Sequence, residues 1–204
     1  MKLTSMDLEQ FVAEVSSSSP APGGGSVAAL NGALSAALAS MVCNNALKKK
    51  KVDIAAVKSL LERLDSLRAS LLAAVDADTD AFNLVMKALA LPKDHKDVRQ
   101  KALAQATKQA TAVPLQVAEE CAALSEVMLK VTKHARKSLA SDLGVGVSAL
   151  ASALEGAGYN VIINLPGLDD EEFCASARQR LDEAQSQSET NLKAVKEWVE
   201  KRLD

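Results

Sequence analysis

Aromatic side chains are nearly missing from this chain: one Trp, one Tyr and three Phe stand among 204 residues, 2% of the total. A core must then be filled by Ala, Leu and Val, which suits close helix-on-helix contact better than a pleated sheet. Cysteine is scarce too. Cys43, Cys121 and Cys174 are odd in number and far apart, which argues against a disulfide framework and a CxxC metal site and marks them as buried small hydrophobes in a reducing compartment. A net charge of −2 leaves no basic excess for general nucleic-acid binding. The two histidines, His95 and His134, sit in lysine-rich surroundings. With no zinc-ligand spacing and no Ser, His and Asp pattern, no metal is expected, and metal-free acid–base chemistry is the catalytic option left.

The longest absence is of charge. Pro20 to Leu47, PAPGGGSVAALNGALSAALASMVCNNAL, contains no ionisable side chain other than Cys43. It is long enough to cross a bilayer. Its composition points elsewhere: Ala and Ser are near neutral on insertion scales, Asn31, Asn44 and Asn45 are polar, and no Trp or Tyr anchors either end. A signal peptide fails as well, since Asp7, Glu9 and Glu14 precede the run and the run exceeds an apolar signal core. The expectation is a cytoplasmic chain that does not enter a membrane.

What is present is a 3.6-residue rhythm in nearly every segment, interrupted by Pro or Gly. It predicts a short helix over 5–17 capped by Thr4 or Ser5, a turn over 16–22, and a helix of small residues from Gly25 to about Lys50. A third helix over 54–91 is capped by Asp53 and stops before Pro92. A fourth runs from Lys93 or Asp94 to about Lys133, bent or restarted at Pro114. A fifth spans 141–163 and ends at Pro166–Gly167, and a charged sixth runs from Asp169. No strand alternation occurs. The reading is therefore all-α: a single domain over 1–204, a multi-helical bundle of about five to six long helices, with 48% hydrophobic residues to fill its core. A 38-residue helix would be ~55 Å long, against a radius of gyration of only ~17 Å for a globule of this size. An intertwined homodimer is expected on that ground, with small residues of the second helix letting long helices approach; the alternative is a monomer with kinked helices.

The third helix holds the sharpest chemical clue. Its apolar stripe runs Val57, Leu60, Leu64, Leu67, Leu71, Ala74 or Val75, then Asp78, then Phe82 and Val85, while Asp76 and Asp80 point elsewhere. A carboxylate in a core position must be paired, hydrogen-bonded or raised in pKa. Asp78 is thus either a satisfied structural residue or a general base or acid working near neutral pH. On the fifth helix, Asp142 and Asn160 are 18 residues apart, five turns, with Asn164 one turn further. They could orient a polar heterocycle, or simply close the two helix ends. Gly23, Gly24 and Gly25 make either an anion-cradling loop or a plain turn, without the endings of a phosphate or dinucleotide motif. Basic runs at Lys48 to Lys51 and at Lys130, Lys133, Arg136 and Lys137 are solvated helix ends or attractors for a polyanionic tail.

The strings PAPGGGSVAAL with ASMV, VDADTDAF, LPK, VPLQVAE, SDLGVG, YNVIINL and DDEEF occur in order over nearly the whole chain. Together they resemble the formiminotetrahydrofolate cyclodeaminase and methenyltetrahydrofolate cyclohydrolase family, which in vertebrates forms the second domain of a bifunctional formiminotransferase-cyclodeaminase. Without a transferase domain, this chain looks like the stand-alone bacterial form, with a formiminotransferase as a possible separate partner. The resemblance implies an all-α intertwined homodimer, a tetrahydrofolate substrate and no tightly bound cofactor. It makes the second Asp of VDADxxAF, here Asp78, the proton acceptor. It also implies that Gly23 to Ser26, Asp142, Asn160 and Asn164 line the substrate site; a further hypothesis, with Lys48 counted among the substrate-binding residues, is that Arg136, Lys137 and Lys48 to Lys51 receive a polyglutamate tail.

Two reactions are compatible with that family: cyclodeamination of 5-formimino-tetrahydrofolate to the 5,10-methenyl form with loss of ammonia, and hydrolysis of the methenyl form to 10-formyl-tetrahydrofolate. A third possibility is a folate-binding helical dimer without turnover. The chain departs from the family pattern at HARKSLASD, where a Gly- and Asn-containing turn is usual, at Val52 in place of Tyr, and at Pro166 and Gly167. These departures leave the Asp78 motif intact and fall on the expected rim.

Overall fold

The computed structural model describes residues 2–203. Six α-helices carry the fold, with no strand among the described residues: α1 (Leu8–Val15), α2 (Gly24–Ala46), α3 (Ile54–Leu89), α4 (Lys96–Val131), α5 (Ala140–Asn164) and α6 (Glu171–Leu203). Short 3-10 turns occupy Leu3–Ser5, Lys137–Leu139 and Leu165–Gly167.

The differences from the sequence reading have local causes. α1 starts at Leu8, because the Asp7 carboxylate accepts the Gln10 amide at 2.8 Å and caps the helix. Thr4, the expected cap, is turned toward α3. There Asp76 accepts the Leu3 amide and the Thr4 hydroxyl, each at 2.6 Å, and ties the N-terminal segment down. α2 ends at Ala46, ahead of the four consecutive lysines. Asp53 caps α3 as expected, accepting the Ala56 amide at 3.0 Å. Pro114 neither ends nor restarts α4: it is buried within one continuous 36-residue helix, whose remaining ladder and packing offset the one missing N–H.

α4 touches α2, α3, α5 and α6, and α2 is wedged between α3 and α5 and also meets α4. The uncharged composition of α2 follows from that position. It is long and apolar enough to span a bilayer, but 61% of its most apolar window is buried in the bundle. The small residues expected to serve a second subunit are spent inside this one. Ala29, Ala36, Ala39, Val42, Cys43 and Ala46 are fully buried, and a Cβ on Gly156 of α5 would stand only 3.1 Å from that of Ala28.

Helix length decides where a cavity forms. α3 and α4 have 36 residues each and α2 has 23, about 54 Å against about 35 Å. The first turn of α2 abuts α3 at Val75 and Asp78, where the Ser26 hydroxyl reaches both. From Asp78 to Leu89, α3 runs on for about 16 Å with no α2 beside it.

Candidate functional site

The space left beyond the start of α2 is a cavity of about 340 Å³. Gly23, Gly24 and Gly25 border it at the start of α2. Asp78, Phe82 and Val85 come from α3, Ala110 from α4, and Asn160, Ile163 and Asn164 from the end of α5, while Pro20 and Ala21 complete the rim. The apolar stripe of α3 changes environment along its length. Val57, Leu64, Leu67, Leu71 and Val75 are buried in the core, whereas Phe82 and Val85 are only partly covered and face the chamber.

Asp78 stands at that change and is the one carboxylate on the cavity wall. Its Oδ2 accepts the Ser26 hydroxyl at 2.9 Å. The same hydroxyl lies 3.0 Å from the Val75 carbonyl and 3.4 Å from Thr79 Oγ1. Gly23 offers no side-chain cap to α2, so a carboxylate supplied by α3 sits at the positive end of the α2 dipole, beside amides that have no partner within the helix. Burial pushes the Asp78 carboxyl above its ordinary value, and the Ser26 hydroxyl and amide oppose this in part.

Gly25 is what lets the two helices meet. A Cβ there would lie 2.1 Å from Asp78 Oδ1 and 2.6 Å from its Cγ, so any side chain would displace the carboxylate. On the opposite wall, Asn160 Nδ2 donates to the Gly156 carbonyl at 2.8 Å. Asn164 Nδ2 donates to Ala110 O at 3.1 Å and to Asn160 O at 3.0 Å, tying α5 to α4. Asn164 spends both amide hydrogens on backbone and Asn160 one of its two, so both asparagines keep their carbonyl oxygens as acceptors for donors on a ligand.

The chain therefore brings Gly23, Gly24, Gly25, Asp78, Asn160 and Asn164 to one cavity, with fully buried Ser26 directly behind the carboxylate. Two expected residues are elsewhere. Asp142 occupies the first turn of α5, about 27 Å along the helix from Asn160. It shares a helix face with the asparagine but not this chain's cavity. Exposed Lys48 follows α2, at the far end from Gly24. Lys49, its neighbour, donates to the carbonyls of His134 and Ala135. The two basic stretches thus converge, but about 35 Å of α2 separates them from the glycine turn. Sequence reading missed Pro20, Ala21, Ala110 and Ile163, none of which carries a chemical signal, and read Phe82 and Val85 as core. No grouping of three His, Cys, Asp or Glu side chains suited to a metal occurs among the described residues.

A carboxylate of raised proton affinity in a small chamber, faced by fixed amide acceptors, suits proton transfer to and from a heterocyclic ligand. The family model described as formiminotransferase-cyclodeaminase matches residues 7–183. The chain belongs to this family. It is 39% identical over 181 residues to a methenyltetrahydrofolate cyclohydrolase of Methylorubrum extorquens, covering 86% of each protein. It is 38% identical over 200 residues to the formimidoyltransferase-cyclodeaminase of Sus scrofa, and there covers 96% of this chain and 37% of that protein's length. Among solved structures, the formiminotetrahydrofolate cyclodeaminase of Thermotoga maritima superposes with a TM-score of 0.91 at 29% identity, over the whole of both chains. The all-α architecture read from the sequence is thus that of a formiminotransferase-cyclodeaminase family member.

Proposed function

We propose that this chain is a folate one-carbon enzyme, a 5-formimino-tetrahydrofolate cyclodeaminase in which Asp78 is the acid–base group. The carrying observation is Asp78 itself: the carboxylate of the chamber, held against the start of α2 and raised in proton affinity by burial. N10 of the substrate attacks the carbon of the protonated formimino group (N5–CH=NH2+), and Asp78 takes the proton released from N10. It returns that proton to the departing nitrogen as the C–N bond breaks, giving ammonia and the 5,10-methenyl bridge. Proton and electron pairs balance with one carboxyl group, and the route calls for no redox cofactor or metal.

The Methylorubrum relative supports a second reading, methenyltetrahydrofolate cyclohydrolase, since the likeness covers most of both proteins. In that reaction Asp78 deprotonates water as it adds to the electrophilic methenyl carbon, and ring opening gives 10-formyl-tetrahydrofolate. Both routes cross a tetrahedral carbon between two folate nitrogens, so one site serves either. Following the methenyl absorbance with purified protein separates them. Appearance from formimino-folate establishes the deaminase, accelerated loss from methenyl-folate establishes the hydrolase, and binding without either establishes an inactive folate binder.

A homodimer is part of the proposal. Its support is an outward ridge of α2 and α5 in which Leu34, Val145 and Tyr159 are 50–63% exposed, together with the long overhang of α3. Because Lys48 and Asp142 lie at the other end of their own subunit, a part in substrate binding would require them to act across such a dimer. A separate formiminotransferase as partner is proposed on the Sus scrofa relative, of which this chain covers only 37%.

A further inference from the structure

The two oxygens of Asp78 are not equivalent. Oδ2 is tied to Ser26 Oγ at 2.9 Å. Oδ1 has no side-chain partner; the Ser26 backbone amide also reaches the carboxyl, and Oδ1 is not sealed. Among the described residues, the buried side-chain oxygen and nitrogen atoms left without a partner are Glu120 Oε2 and Arg136 Nε. An unpartnered oxygen outside that set has an open side, and Asp78 lines the cavity.

Ser26 has its own peculiarity. It is fully buried, has a single proton to give, and has three oxygens in reach: Asp78 Oδ2, Val75 O at 3.0 Å and, more distant, Thr79 Oγ1 at 3.4 Å, which can itself donate to the serine. The Val75 carbonyl already belongs to the α3 ladder, so it does not depend on the serine. A hydroxyl proton prefers a carboxylate to an amide carbonyl while the carboxylate is charged, because charge-assisted bonds are the stronger. Once the carboxyl is neutral that advantage is lost, and Val75 O lets the hydroxyl stay bonded after rotation about one torsion. Neither charge state of Asp78 then leaves a buried hydroxyl unsatisfied.

We infer that Ser26 is a positioning residue that anchors Asp78 through Oδ2 and swings its proton to Val75 O when Asp78 is neutralised, leaving Oδ1 as the oxygen that exchanges a proton with the ligand. This differs from a substrate-contacting serine, and it rests on the reading of Asp78 as the acid–base group. No other ionisable group competes for the carboxyl on the facing elements. α2 is uncharged along its length, α4 contributes Ala110, and α5 contributes Asn160, Ile163 and Asn164. On α3 itself, Asp76 is engaged by Leu3 and Thr4, and Asp80 is exposed.

The test is a pH titration of the Asp78 carboxyl by NMR, in full-length protein carrying 13C at aspartate carboxyls, with the Asp78 signal assigned by its loss in Asp78→Asn. Removing the donor in Ser26→Ala is expected to raise the Asp78 midpoint by about one pH unit, a tenfold change in proton affinity. Ser26→Cys, with a similar volume and a weaker donor, is expected to raise it by less. In the methenyl assay Ser26→Ala is expected to lower kcat about tenfold or more, most on the acidic side, with KM within about twofold. A midpoint unmoved in folded Ser26→Ala overturns the inference, as does a several-fold rise in KM at constant kcat; should that variant not fold, an unmoved midpoint in Ser26→Cys does the same. The carboxyl titration needs no turnover. A shifted midpoint in a protein inactive on both folates would therefore sink the functional reading and leave the Ser26 anchoring standing.

Discussion

A Cβ placed on Gly25 would sit 2.1 Å from Oδ1 of Asp78: the backbone of one helix and the carboxylate of another occupy a space that admits no side chain. Gly25→Ala should therefore displace the carboxylate while leaving the fold in place, since alanine favours the start of a helix. The expected outcome is at least a 100-fold loss of activity, the scale of an ångström-sized misplacement of a catalytic group. An unchanged far-ultraviolet circular dichroism spectrum would accompany it. A Gly25→Ala protein with wild-type turnover would show that Asp78 does its work from another position.

Asp78→Asn tests both activity and stability. Without a proton acceptor the rate should fall by about 10²- to 10⁴-fold. Stability should move the other way. Asp78 is raised in the folded protein by burial, so the folded state binds its proton more tightly than the unfolded state does. The benefit of that proton is complete below the ordinary carboxylate value of about 4 and is lost as pH rises through the folded value. Asparagine stays neutral throughout and can still accept from Ser26. Its Tm should exceed that of the wild type at neutral pH, by about 2–4 °C per kcal/mol of relief, and the gap should close in acid. Equal melting curves at pH 7 would contradict the burial argument.

The same shift predicts the shape of the pH profile. The reactive form is the carboxylate, so kcat/KM should fall on the acidic side with a midpoint above the ordinary aspartate range, in the direction that burial drives Asp78. The limb should be absent from the residual rate of Asp78→Asn. A midpoint at or below about 4 would assign the limb to another group.

Asn164 has a structural duty that its place on the cavity wall conceals. Asn164→Ala removes two hydrogen bonds, to Ala110 O and Asn160 O, and should cost about 1–3 kcal/mol by chemical denaturation. It also removes an acceptor facing the ligand, so KM should rise more than kcat falls. If stability drops and KM stays put, the residue is a tie between α4 and α5 and nothing more.

For the proposed homodimer, the outward ridge is the place to intervene. Leu34 is half exposed on an uncharged helix, and Leu34→Glu should convert a dimer to a monomer in light scattering. A dimer that survives Leu34→Glu and Val145→Glu together would have its interface elsewhere.

Helix count, helix order and Asp78 were legible in the sequence because each depends on periodicity along one element. Asp78 interrupts an apolar stripe, and that interruption falls on the cavity wall. Sharing a helix face is not sharing a site: the 18 residues that bring Asp142 and Asn160 to one side also set them about 27 Å apart along the helix. The pairing of Gly25 and Ser26 with Asp78 spans some fifty residues of chain and depends on how far α2 slides along α3. Ala110 and Ala21 are ordinary alanines that become walls only because other helices stop beside them.

The offset between α2 and α3 assigns different freedoms to different parts of this chain. Asp78 and buried Ser26 meet at the edge of the packed core, where one methylene too many is felt. The rim at Pro20 and Ala21 comes from the segment ahead of α2, outside the hydrophobic core. That entrance can be rebuilt, lengthened or reshaped without reopening the problem of how to hold a reluctant carboxylate in place. In a scaffold whose relatives carry the names of a deaminase and a hydrolase, the interchangeable part and the fixed part are physically separate.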